Sequence, residues 1–196
     1  MFRHFSIAAP WRSAKAALVA VAFAAVLSAS TGARAGGSHL YIFLGLANMS
    51  PGLAEFAGKM EKRGIPSTVG SYAEASEFAE EAIKQYKSGR LSSIMIIGHS
   101  LGGGAAREMA AELKEAGVPV KLLVALDPVG GPDVSSNVRR SVEIDHGEDE
   151  DHFSMIAARA QELAGYVLGT KVPRSARARV PAQDKPEINS SYGTPN

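Results

Sequence analysis

The chain has 196 residues, 45% hydrophobic and 21% charged, and no cysteine. That length fits one domain and that balance a soluble globular protein; the missing cysteine excludes disulfides, thiolate nucleophiles and cysteine-based zinc sites. The formal charge of +1 is uneven: residues 1–35 carry four basic groups and no acid, residues 171–196 carry five against two, so residues 36–170 carry −6, which is unsuited to nucleic acid because phosphates call for a basic face.

In chain order, residues 1–35 read as a secretory signal peptide. A basic front (Arg3, Arg12, Lys15) precedes the apolar run Ala16 to Leu27, and Ala33-Arg34-Ala35 supplies an A-x-A site with cleavage after Ala35. The run is shorter than the ~20 residues a membrane span needs, so a secreted or periplasmic protein without a membrane span is expected. His39 to Leu46 is a nearly continuous apolar strand of the kind buried on both faces. Ser50-Pro51 has the form of a serine cap with proline at the first helical position. Leu53, Phe56, Ala57 and Met60 follow at helical spacing, and Gly64 closes that helix. Ser67 to Ser71 reads as a short strand, and Ala75, Phe78, Ala79, Ala82, Ile83 and Tyr86 form the apolar stripe of a second helix.

Ile94 to Ile97 is a buried-type strand. It turns through Gly98-His99-Ser100-Leu101-Gly102 into an alanine-rich helix ending near Ala116-Gly117. Val120 to Leu126 is another buried-type strand, closed by Asp127-Pro128 and the turn-rich Val129-Gly130-Gly131-Pro132. Val138 to Ile144 predicts a last, less apolar edge strand. An acidic loop, Asp145 to Asp151, leads through His152 to a helix from about Met155 to Leu168. Alternating strands and helices imply a compact α/β domain over residues 36–170: a mostly parallel sheet of about five strands, with right-handed crossovers and helices on both faces. From residue 171 onward proline, arginine, serine and asparagine replace the periodic pattern, as in a disordered basic tail.

Strand, G-x-S-x-G, helix is the context in which a serine becomes a nucleophile. Glycines at Gly98 and Gly102 leave room for a strained turn, and the new helix aims free N–H groups at the Ser100 hydroxyl. A serine hydroxyl needs a base within hydrogen-bond reach and a third group to orient that base. In a parallel sheet the reactive groups gather at the carboxyl ends of the strands. Ser100, Asp127 and His152 each follow a strand on that edge, in the order nucleophile, acid, histidine. His146 is a second candidate base in the same loop, and Asp133 and Asp145 are substitute acids. His99, inside the turn, is read as structural, and His39 as neutral to function.

These segments resemble the α/β-hydrolase superfamily, and within it the lipase and thioesterase-like serine hydrolases. GHSLGG at Gly98 to Gly103 is similar to their nucleophile turn, LDPVGGP at Leu126 to Pro132 to the acid segment of lipases, and DHFSM at Asp151 to Met155 to the histidine segment of thioesterases. The resemblance implies Ser100, His152 and Asp127 as a triad cleaving carboxylic esters or thioesters through an acyl-enzyme. It implies an oxyanion hole from the Leu101 N–H and a donor in the loop after the first strand, at Gly45, Leu46 or Ala47, with Leu46 preferred. Gly45-Leu46 stands where a His-Gly pair is common in that loop. No cofactor or metal is expected. Acyl transfer to an alcohol would use the same residues. The rivals from other classes are a non-catalytic binding module and a nucleotide-binding domain, the latter lacking G-K-[ST] and G-x-G-x-x-G. Glu148 to Asp151 offers three readings: raising the His152 pKa, weak calcium binding, or plain solvation, which is preferred. Only Pro128 to Asp151 is available for a cap, so an open site acting on soluble short- or medium-chain substrates is expected.

Overall fold

The structure, a computed structural model, describes residues 36–170; the expected signal peptide and basic tail lie outside the described residues. Within it five segments form strands: β1 (Gly37–Leu44), β2 (Ser67–Ser71), β3 (Leu91–His99), β4 (Leu122–Leu126) and β5 (Ser141–Ile144). They pair in the order β2-β1-β3-β4-β5, every pair parallel. The helices are α1 (Leu53–Glu61), α2 (Ala75–Lys87), α3 (Leu101–Glu115), α4 (Met155–Ala158) and α5 (Ala160–Leu168). The expected α/β architecture is therefore the observed one.

Period-two alternation explains why the central strands are apolar throughout. Leu40 and Ile42 of β1, Met95 and Ile97 of β3, and Leu122, Val124 and Leu126 of β4 face one layer, packed with residues of α1, α4 and α5 such as Phe56, Met155 and Leu163. Tyr41, Phe43, Ile94, Ile96, Leu123 and Ala125 face the other, under Phe78 of α2 and Met109 and Leu113 of α3. The outer strands are less apolar because each has one neighbour: β2 is only partly buried, and β5 buries Val142 and Ile144 alone.

Four local expectations are corrected. Ser50 does not cap α1, which starts three residues later with Gly52 in the left-handed region and no side-chain cap. The helix expected over Met155 to Leu168 breaks at Arg159, whose dihedrals (φ −92°, ψ 1°) leave the helical range. Its guanidinium reaches Glu150 at 3.0 Å and the buried Glu162 at 3.5 Å. Glu150 therefore belongs to an ion pair, while Asp151 takes the Phe153 and Ser154 N–H groups; plain solvation describes Glu148 and Asp149, which are exposed, but not the whole acidic run. Finally, the strand expected from Val138 begins at Ser141, with Val138 making one isolated bridge to Val120.

The β4–β5 connection carries no helix, although parallel neighbours usually cross over through one. It lies instead on α3. Asn137 donates through Nδ2 to the Ala110 and Val118 carbonyls. A Cβ added to Gly104 would come within 2.7 Å of the Val129 carbonyl oxygen, so that approach is backbone against backbone.

Candidate active site

Register brings the strand ends together. His99 closes β3 opposite Leu126, the last residue of β4, and Phe43 of β1 lies opposite Gly98. The chain must then leave β3 and enter α3 in a single residue, Ser100, which sits at φ 57°, ψ −125°. The turn is held by the Ser100 N–H on the Leu126 carbonyl (2.9 Å), and by the Gly103 and Val129 N–H groups on the Ser100 carbonyl (2.8 and 2.9 Å). Side chains at Gly98 and Gly102 would collide with the Gly102 and Phe43 carbonyls respectively, so glycine is required at both by close approach.

Within residues 36–170, the described part of the chain, backbone strain is confined to this edge. Among the described residues, the non-glycine residues with positive φ are Ala47, Asn48, Ser100 and Asp127. They come from the loop after β1, the β3–α3 turn and the end of β4. Such conformations cost about 1–3 kcal/mol each and persist only where the surroundings impose them.

Asp127, nearly buried, gathers both candidate bases. Its Oδ2 accepts from His152 Nδ1 at 2.9 Å and from His146 Nδ1 at 2.6 Å, and its Oδ1 accepts from the His146 backbone N–H at 2.7 Å. Burial alone would raise the Asp127 pKa, but those donors outweigh it and hold the carboxyl below its ordinary value. With Nδ1 committed to Asp127, Nε2 is the His152 nitrogen left to exchange a proton. The substitute acids Asp133 and Asp145 are exposed and neither holds a histidine among the described residues.

The loop after β1 lies beside Ser100: a Cβ added to Gly45 would stand 3.1 Å from the Ser100 Cβ. The Gly45 N–H is spent on Ser50 Oγ at 2.9 Å. Leu46 and Ala47 follow in a short 3₁₀ turn, Leu46–Asn48, and Leu46 is 63% exposed. Leu101 opens α3, where a helical N–H has no partner in its own helix. Of the three donors considered for this loop, Gly45 is thus the one already occupied.

Sequence reasoning missed a buried pair. Ser50 Oγ is 2.9 Å from His99 Nδ1, and His99 Nε2 is 2.8 Å from the His152 carbonyl oxygen. The His99 ring is fully buried and its centroid lies 4.4 Å from that of His152. Burial lowers the His99 pKa, and the His152 charge adds to this, against raising contributions from its bond to the His152 carbonyl and from Asp127. His39, bonded to Thr68 Oγ1 at 2.8 Å, is likewise lowered by burial, with Glu61 opposing.

A pH effect on stability follows from these two imidazoles. The unfolded chain takes up protons near pH ~6.5, while the folded chain resists until its lower values are passed. Stability is therefore full above about pH 6.5 and falls as the pH drops through the folded values. His39→Gln, which lies away from Ser100, is expected to flatten the acid limb of a melting-temperature profile below about pH 6.5; a limb unchanged in slope would contradict the assignment.

No protein-family model and no curated protein sequence matches this chain. Among solved structures it is similar to an acetylxylan esterase, at 12% identity and a TM-score of 0.46, over 69% of this chain and 98% of that one.

Proposed function

We propose that this protein is a serine hydrolase of carboxylic esters or thioesters, of the α/β-hydrolase type, working outside the cytoplasm after removal of residues 1–35. The observation that carries the reading is the confinement of backbone strain to the three segments that would supply nucleophile, acid and oxyanion donor. Strain of this kind collects where a fixed geometry is needed for chemistry.

In this mechanism His152 Nε2 takes the proton from Ser100 Oγ as the oxygen attacks the acyl carbon. The Asp127 carboxylate, kept ionised by its donors, steadies the imidazolium that forms. The Leu101 and Leu46 N–H groups hold the oxyanion. His152 then returns the proton to the departing alcohol or thiol, leaving an acyl-enzyme that water, activated by the same imidazole, hydrolyses. An alcohol in place of water would give acyl transfer by the same residues.

The surroundings of Ser100 favour an apolar acyl group. Of the large hydrophobic side chains exposed among the described residues, Leu46, Met49, Val129 and Phe153 lie on the loops that follow β1, β4 and β5. With no helix between β4 and β5 the rim has no cap from that connection, which suits short- or medium-chain substrates taken directly from solution. A fluorophosphonate probe is expected to label the wild type and not Ser100→Ala, and p-nitrophenyl esters of increasing acyl length should be cleaved. Failure of the wild type to label, or equal labelling of the variant, would overturn the hydrolase reading.

A further inference from the structure

Three polar or charged side chains are buried among the described residues: Ser50, His99 and Glu162. Glu162 has Tyr166 Oη and Arg159 to satisfy it. Ser50 and His99 satisfy each other, and they do so between two loops that approach Ser100 from opposite sides.

The direction of each hydrogen bond can be derived. A carbonyl oxygen only accepts, so His99 Nε2 carries a hydrogen and donates to the His152 carbonyl. Burial keeps the ring neutral, so Nδ1 is an acceptor and the Ser50 hydroxyl must donate to it. The Ser50 oxygen in turn accepts the Gly45 N–H. The chain therefore reads Gly45 N–H to Ser50 Oγ, Ser50 O–H to His99 Nδ1, His99 Nε2–H to the His152 carbonyl, with every donor and acceptor used once.

We propose that Ser50 and His99 are positioning residues that tie the oxyanion loop, at Gly45-Leu46, to the backbone of the general base His152, so that donor and base keep one separation across Ser100. The inference rests on the hydrolase reading above. Its physical content is that the His152 loop is otherwise partly exposed, and the imidazole reaches Asp127 through Nδ1 alone. The bond from His99 fixes the main chain of His152, while ring contact with His99 at an interplanar angle of 38° limits the tilt of its imidazole. The same serine that orients His99 also fixes the residue before the Leu46 N–H. A side chain within this network touches no substrate; it sets where two groups that do so stand.

The test uses the purified chain and two kinds of measurement. Long-range ¹H–¹⁵N spectra of the histidine rings should give His99 as the neutral Nε2–H tautomer at about pH 7. A protonated His99 or the Nδ1–H tautomer at that pH would overturn the proposal without reference to activity. Kinetically, Ser50→Ala should lower kcat on p-nitrophenyl esters by about 10- to 100-fold. KM should stay within about twofold, as expected when only transition-state geometry is lost. The Ser50→Ala/His99→Phe double variant should cost no more than the worse single variant, because the two residues act as one unit. An unchanged kcat in Ser50→Ala, or losses that multiply in the double variant in step with falling melting temperature, would reduce the pair to ordinary packing and sink the proposal. An inactive, unlabelled wild type would instead remove the hydrolase reading, and this inference with it.

Discussion

His152→Ala is expected to lower kcat/KM on p-nitrophenyl esters by about 10⁴-fold, and His146→Ala by no more than about tenfold. Both imidazoles present Nδ1 to the same Asp127 oxygen, so proximity to the acid does not separate them. Three other features do. The His152 ring lies against the buried His99 ring, next in sequence to Ser100. Its side chain is 35% exposed against 51% for His146. Most decisively, His146 also binds Asp127 through its backbone N–H, and that bond survives a change of side chain. In His146→Ala the carboxylate keeps its Oδ1 anchor and its bond to His152, so the base stays oriented. On the proposed mechanism, removing His152 takes away the proton acceptor of Ser100. Equal losses for the two variants, or a larger one for His146→Ala, would assign the base to His146.

Ser100→Gly is expected to abolish turnover, by about 10⁶-fold if the residues act as a unit, while raising stability by about 1 kcal/mol. The gain comes from the dihedrals. A residue with a Cβ is strained at φ 57°, ψ −125°, whereas glycine is not, and the relief exceeds the larger backbone entropy glycine loses on folding. Ser100→Ala is the control: it removes the hydroxyl but keeps the Cβ, so it should be equally inactive without the gain. Urea unfolding of the three proteins at one pH measures the difference. A glycine variant no more stable than the alanine variant would mean that the turn costs the fold nothing.

The parts of the fold legible in the sequence are those carried by continuous or periodic apolar residues. Ile94 to Ile97 and Leu122 to Leu126 have to be central strands because both faces are covered, and the stripe from Ala75 to Tyr86 has to be a helix because it repeats at helical spacing. The order of Ser100, Asp127 and His152 along the strand ends was legible for the same reason. Ser50 was not: serine before proline is a strong local helix-start signal, but a bond to His99, 49 residues away, takes the hydroxyl inward. Neither could periodicity reveal that His146 would share the Asp127 carboxylate, or that Arg159 would leave the helix to reach Glu150 and Glu162. These are long-range polar contacts on loops, and a pattern of apolar spacing carries no information about them.

The bare connection between β4 and β5 has a consequence for how such a protein can be altered. Its first part is pressed onto α3, the Pro128 ring against Gly103 and the backbone of Val129 to Gly131 against Gly104, and its later part is pinned by Asn137. Between these anchors Pro132, Asp133 and Val134 are exposed. New chain spliced in there would shift neither anchor, since exposed loop segments are where insertions are best tolerated. The stretch of this loop that packs against the Ser100 turn and the stretch that can take an insertion are thus separate, so the loop can be lengthened without disturbing the contacts that hold the turn.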